Sequence, residues 1–203
     1  MLLNLYYTVY NPNKLKESFK MTNTNLSPRE KNIVFIGFMG VGKTTIGKLV
    51  AQKLYRTFID IDQEIEKEYN MPVPEIFNSI GEKAFREKEK SMVSTFCNQR
   101  LKVISLGGGA FLQKEIRDLC LANCIVFALD ISWDSWKERL NIIIDNRPVL
   151  QGRSIEEIEE LFYKRKEIYS SHNSKLTTDN LDVEEIADYI TDSLKLAWDL
   201  YDN

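Results

Sequence analysis

The most specific chemistry in the chain lies in Gly37-Phe-Met-Gly-Val-Gly-Lys43-Thr44, which fits the phosphate-loop pattern G-x-x-x-x-G-K-[ST]. Glycines there let backbone N–H groups turn inward around phosphate oxygens, and a helix starting at the end of the loop adds the positive end of its dipole. Lys43 can reach the β and γ phosphates, and the Thr44 hydroxyl can ligate magnesium. A nucleoside triphosphate is therefore the expected ligand of Gly40, Val41, Gly42, Lys43, Thr44 and Thr45.

Other residues could select a phosphoryl acceptor. Phe58-Ile-Asp60-Ile-Asp62 places two carboxylates at the carboxyl end of a strand, the edge where ligands bind in open α/β sheets. One could hold magnesium through its water shell, and the other could accept a hydrogen bond from an acceptor hydroxyl and assist its deprotonation. Equally, Asp62 could cap the next helix by accepting from the amides of Glu64 or Ile65. Arg86 and Glu89 stand three residues apart beside an apolar stripe of Phe85, Met92 and Phe96. Such a carboxylate could fix the guanidinium for bidentate anion recognition, although the same pair could be a surface ion pair of small effect. Arg165 falls on the apolar line of Leu161 and Phe162, so two arginines could grip one carboxylate. Gly107-Gly108-Gly109 follows another strand, where glycine permits close backbone approach to a ligand. His172 is the one histidine and receives no role.

These residues need elements to hold them. Strand-like runs near 33–37, 57–61, 102–106 and 124–129, with a fifth near 174–178, alternate with helical patterns, which predicts a parallel sheet covered on both faces. The Ile46, Leu49, Val50 and Leu54 spacing predicts a helix straight after the phosphate loop. A last helix is predicted from a cap formed by Asp182 and Glu185, with Val183, Ile186, Ile190, Leu194, Ala197 and Trp198 in one stripe. Between a helix ending near Leu140 and one capped by Ser154 with Glu157, residues 141–154 form an arginine-bearing loop. In a phosphoryl-transfer enzyme such a loop can close over the nucleotide.

Composition narrows the setting. At 203 residues and 43% hydrophobic, the chain suits one compact domain. A net charge of −3 without a long basic cluster argues against nucleic acid and anionic membranes as partners. Cys97, Cys120 and Cys124 make an odd count beside a single histidine, which fits buried packing in a reducing cytosol better than disulfides or zinc. Residues 11–29 are rich in Asn, Thr, Ser and Lys with Pro12 and Pro28, so residues 1–29 are expected to be a flexible extension, with Met21 a candidate first residue.

Taken in order, the phosphate loop, Phe-Ile-Asp60-Ile-Asp62, Phe-Arg86-x-x-Glu89, the triple glycine, Arg147-Pro-Val-Leu and Arg165 four residues before Tyr169 resemble shikimate kinase over about residues 31–190. That resemblance implies a nucleoside-monophosphate-kinase-like α/β/α fold with a five-stranded parallel sheet and a lid. It implies a single domain over residues 30–203, with an acceptor-binding part at about 62–97 and the lid at about 141–154. The implied reaction moves the ATP γ-phosphoryl to the 3-hydroxyl of shikimate, with Mg2+, in chorismate and aromatic amino acid synthesis. The implied protein is a cytoplasmic monomer. Carried over by residue, Lys43 binds phosphate, Thr44 and Asp60 serve the metal, and Asp62 meets the acceptor hydroxyl. Arg86, Gly107, Gly108, Gly109 and Arg165 hold shikimate, Glu89 orients Arg86, and Phe77 and Phe85 offer apolar walls. Arg147 is the implied lid arginine and Arg139 an arginine near the adenine. The family's Arg-x-Pro-Leu-Tyr stands in this chain as Arg165-Lys-Glu-Ile-Tyr169. A gluconate-type kinase would share the loop and lid without needing the paired arginines, and a non-catalytic nucleotide-binding module would have no need of Lys43, Asp62 and Arg147 together.

Overall fold

A computed structural model describes residues 26–140 and 149–202. Its sheet has five strands, β1 (Ile33–Ile36), β2 (Thr57–Asp60), β3 (Lys102–Ser105), β4 (Ile125–Asp130) and β5 (Ser174–Thr177), each within two residues of the run that predicts it. They pair in parallel in the order β2-β3-β1-β4-β5. β1 is apolar throughout and buried throughout, as a central strand covered on both faces must be. Burying each such side chain is worth about 2 kcal/mol, so the strand that leads into the phosphate loop is firmly anchored.

The helices are α1 (Lys43–Lys53), α2 (Ile61–Tyr69), α3 (Val73–Cys97), α4 (Lys114–Asn123), α5 (Trp133–Lys137), α6 (Ile155–Ile168) and α7 (Val183–Asp202). α3 is two helices in series, because Gly81 between them takes φ 79° and ψ 162°. A side chain there would meet nothing within 4 Å, so glycine serves the backbone turn and not a lack of space. The second half of α3 is the predicted Arg86 helix, and it buries Phe85, Glu89, Val93 and Cys97 at steps of four. α6 starts with the predicted reciprocal cap of Ser154 and Glu157.

α7 packs against α1, burying Ile186, Ile190, Leu194, Ala197 and Trp198. Val183, predicted on the same stripe, is instead 41% exposed at the first turn, outside the packed length of the helix. Asp182 and Glu185 exchange hydrogen bonds of 2.8 and 3.1 Å as predicted. Arg29 is tied down: it pairs with Asp199 and Asp202 at 2.7 Å each, and it shares the Trp198 ring with Arg56. All three cysteines are buried and unpaired, with Cys97 and Cys120 sulfurs 3.9 Å apart.

The strand order decides where the chemistry meets. β3 and β4 flank β1, and Asp60 lies opposite Ser105 in the β2–β3 ladder. The phosphate loop, the acidic pair and the triple glycine therefore leave adjacent strands at one carboxyl edge, where such sheets bind ligands.

Candidate active site

The chain can leave β1 toward the site only through Gly37. Its φ is +141°, and a Cβ would stand 2.4 Å from the Leu129 carbonyl oxygen. Gly42, the residue before α1, has no side chain to cap the helix, so the first N–H groups of α1 remain for a ligand. Lys43 is 8% exposed and donates to the carbonyls of Gly37 and Phe38 at 2.9 and 3.0 Å, which arches it across its own loop. Outer carbonyls of the loop are held from elsewhere: Trp136 Nε1 donates to Met39 O at 2.7 Å, and Arg139 Nη1 to Gly40 O at 3.4 Å. The Val41 side chain is buried, so only its backbone belongs to the ligand side of the loop.

Thr44 Oγ1 donates to Asp60 Oδ2 at 2.7 Å. Asp60, not Asp62, caps α2: its other oxygen accepts from the Gln63 amide at 3.3 Å. The difference is one of position, because Asp60 is the last extended residue and Asp62 already lies in the first turn. Asp62 instead lines the cavity. That cavity, about 610 Å³, is lined by Gly40, Gly42, Lys43, Thr44 and Thr45 on one side and by Asp60, Asp62, Gly107 and Gly108 on the other.

Each glycine of the triplet meets a different predicted residue. A Cβ on Gly107 would lie 2.4 Å from Asp62 Oδ1, and one on Gly109 would lie 2.6 Å from Arg86 Nη2. At Gly108 the nearest atoms are ordinary contacts, Met39 Cβ at 3.6 Å and Arg165 Nη1 at 3.7 Å. None of the three has a positive φ. Close approach, not backbone freedom, is what Gly107 and Gly109 supply. The Gly108 carbonyl also accepts from Tyr169 Oη at 2.7 Å and Arg165 Nη1 at 3.3 Å.

Arg86 Nη1 donates to Glu89 Oε2 at 2.8 Å, and Glu82 approaches the same guanidinium at 3.3 Å. Its planar group lies over Phe77 and Phe85, both 5.5 Å away. Both rings support the arginine; of the two expected as walls for a ligand, Phe77 is half-buried, while Phe85 is covered because it packs inward with Glu89 and Val93. Arg165 is 8% exposed with its charged carbon 5.7 Å from the Phe38 ring, and its Nε has no hydrogen-bond partner among the described residues. Burial lowers its pKa, but an arginine keeps its charge.

Glu89 is wholly buried, and burial pushes its carboxyl up to about 7 although Arg86 pulls it down. Gln113 Nε2 donates to the same Oε2 at 2.8 Å, while Oε1 has no hydrogen-bond partner among the described residues. Burial raises Tyr169 to about 12, so it is a hydrogen-bond donor at neutral pH. The contacts of Gln113 and Tyr169 escape sequence reasoning. Tyr169 had a local signal, standing one helical turn after Arg165, and Gln113 had none beyond following the triplet by four residues. Arg147, the predicted lid arginine, lies outside the described residues.

Comparison with known proteins gives concordant relatives. A family model described as shikimate kinase matches residues 39–195. Shikimate kinase of Oceanobacillus iheyensis is 60% identical over 174 residues, covering 86% of this chain and 95% of that protein. The Bacillus subtilis shikimate kinase is 60% identical over 174 residues, covering 85% and 94%. Among solved structures, shikimate kinase from Aquifex aeolicus superposes with a TM-score of 0.72 at 32% identity, covering 81% of this chain and 96% of that one. Shikimate kinase from Acinetobacter baumannii in complex with shikimate gives 0.72 at 28% identity, covering 86% and 94%.

Proposed function

This chain belongs to the shikimate kinase family, and from that premise we propose how its own residues carry out ATP-dependent phosphorylation of the 3-hydroxyl of shikimate, yielding shikimate 3-phosphate and ADP for chorismate and aromatic amino acid synthesis. One observation carries the assignment. Asp62, Arg86 and Arg165 each abut one residue of the Gly107–Gly109 turn, and that turn borders the cavity lined by Lys43 and Thr44. A donor site for phosphates thus adjoins an acceptor site with one carboxylate and two cations, the complement of a hydroxylated carboxylic acid.

On the donor side, the loop amides of residues 40–45 hold the phosphates and Lys43 turns from its carbonyl partners to the β and γ oxygens. The Thr44 hydroxyl and Asp60 carboxylate, 2.7 Å apart at the cavity, are the oxygen donors that would hold a hydrated divalent cation. When bound, Mg2+ neutralises charge on the phosphates. Arg139, already against the loop, sits near the adenine, and Arg147 brings a further cation as residues 141–154 close. On the acceptor side, Arg86 and Arg165 take the carboxylate of shikimate, while Asp62 aligns the 3-hydroxyl and takes its proton as the oxygen attacks the γ phosphorus and ADP departs. Positioning and charge neutralisation do most of this work.

We place the enzyme in the cytoplasm as a monomer acting on small molecules, a reading supported by three buried free thiols and an acidic net charge. Coupled ADP release with MgATP and shikimate, gluconate or no acceptor tests the proposal. Turnover should depend on shikimate; turnover with gluconate, or nucleotide binding with no turnover at all, would refute it.

A further inference from the structure

Gln113 belongs to neither the phosphate loop nor the predicted acceptor contacts, yet it ends in the charged centre of the site. It closes the short 3-10 turn Ala110–Leu112 that follows the glycine triplet, and its backbone is fixed there, since its N–H donates to Ala110 O at 3.1 Å and its carbonyl accepts from Arg117 N at 3.1 Å. From this fixed base Nε2 reaches Glu89 Oε2 at 2.8 Å, the oxygen that also accepts from Arg86 Nη1 at 2.8 Å. Glu89 is 0% exposed. An acid buried that deeply keeps its charge and its orientation only through its donors.

We infer that Gln113 is a positioning residue for the acceptor: it clamps Glu89 from the glycine-turn side, so that Glu89 holds Arg86 against Gly109 in the orientation that receives the acceptor's carboxylate. This rests on the acceptor role given above to Arg86. Because Gln113 and Gly109 belong to the same turn, the clamp couples the backbone wall of the acceptor site to the guanidinium that a Cβ on Gly109 would touch. The charged groups around Glu89 set the direction of the effect. Arg86 favours its ionised form from the same helix, Asp62 from α2 opposes it, Gln113 supplies the remaining donor, and Tyr169 beyond α6, itself raised by burial and by Glu89, stays neutral. Glu82 and Arg165 face the arginine and the tyrosine. Removing the amide donor disfavours the carboxylate, so Glu89 takes up a proton at higher pH and releases Arg86 sooner on acidification.

The test is steady-state kinetics of the full chain with shikimate and MgATP from about pH 5.5 to 8.5. Near-isosteric Gln113→Met should raise the acceptor KM about tenfold at neutral pH, the loss expected for one hydrogen bond to a charged group, with a much smaller change in kcat and in KM for MgATP. It should also move the acid limb of kcat/KM upward by about one unit, and Gln113→Glu should move it further. In a Glu89→Gln background Gln113→Met should move no limb. A limb unmoved in both Gln113 variants, while Arg86→Ala still raises the acceptor KM, would overturn the inference alone. Unchanged acceptor KM in Arg86→Ala would overturn the acceptor assignment together with it. Near-UV circular dichroism identifies a misfolded variant: if one Gln113 variant is lost the other carries the test, and loss of both would make Gln113 a structural residue and refute the inference.

Discussion

Alanine at each of the three glycines separates acceptor chemistry from folding, because the backbone of all three is already open to alanine. Gly109 has φ −107°, and none of the triplet needs the left-handed region. What alanine meets is a side chain. At Gly109 the new methyl would stand 2.6–2.8 Å from three atoms of the Arg86 guanidinium, which must retreat by about 1 Å to reach normal contact. That retreat lengthens the 2.8 Å bond to Glu89 and misaims the group proposed to receive the acceptor. Losing one charge-assisted hydrogen bond to the acceptor's carboxylate is worth about 1.5–3 kcal/mol, or roughly 10–100-fold in acceptor KM. At Gly107 the methyl would stand 2.4 Å from Asp62 Oδ1, and a displacement of about 1 Å at the reacting hydroxyl can cost about a hundredfold in turnover. Gly109→Ala should therefore act on KM for shikimate and Gly107→Ala on kcat. Both should melt within about 3 °C of the parent, since the displaced atoms end flexible side chains. Gly108→Ala, with contacts no shorter than 3.6 Å, serves as the folding control. Steady-state kinetics with thermal melts of the three proteins decide the matter: equal effects of 107 and 109 on both parameters, or a melting loss that tracks the activity loss, would refute the reasoning.

Asp62→Asn should lower kcat by about 10²–10⁴-fold while leaving ATP affinity within about twofold, as fluorescence titration with a nucleotide analogue can check; equal losses in both would count against an acceptor-side role. Gly37→Ala places a Cβ 2.4 Å from a main-chain oxygen at φ +141°, so a cost of about 3 kcal/mol and a melting point lower by roughly 6–12 °C are expected by calorimetry. Glu89→Gln tests burial of the acid. Its folded pKa is raised to about 7, so the ionised form destabilises the fold progressively as pH rises from the ordinary carboxylate value toward 7. The variant should gain stability relative to the parent over that window, by up to about 3 kcal/mol above it, in urea melts taken at acid and alkaline pH. A pH-independent difference would show that Glu89 is ionised in the fold at far lower pH.

Local physics made the donor site legible. A strand, a glycine turn and a helix lie within the span from Ile33 to Lys53, and the residues proposed to hold phosphate are chain neighbours. The acceptor residues were legible as oddities, charges such as Glu89 and Arg165 on lines that bury everything else. What they touch was not. Tyr169 meets Gly108 across 61 residues, Trp136 meets Met39 across 97, and Gln113 meets Glu89 across 24. Those meetings are set by strand order, which no local pattern encodes. The choice between Asp60 and Asp62 as helix cap turned on where one strand ends, the least certain boundary a sequence offers.

Placing β1 at the centre of the sheet also has a consequence for how the protein is made. Both of its ladder partners arrive late, β3 at residues 102–105 and β4 at residues 125–130. At ~5–20 residues per second a ribosome needs roughly 5–20 s to synthesise the segment from β1 to the end of β4. Until β3 is made, the strand Ile33, Val34, Phe35 and Ile36 has neither edge paired, and until β4 is made one edge stays open, and such an edge invites wrong pairing. The phosphate loop cannot be rigid before its strand is enclosed, so nucleotide affinity is a late event in the life of the nascent chain. A stalled chain that binds an ATP analogue is one whose sheet has already closed around β1.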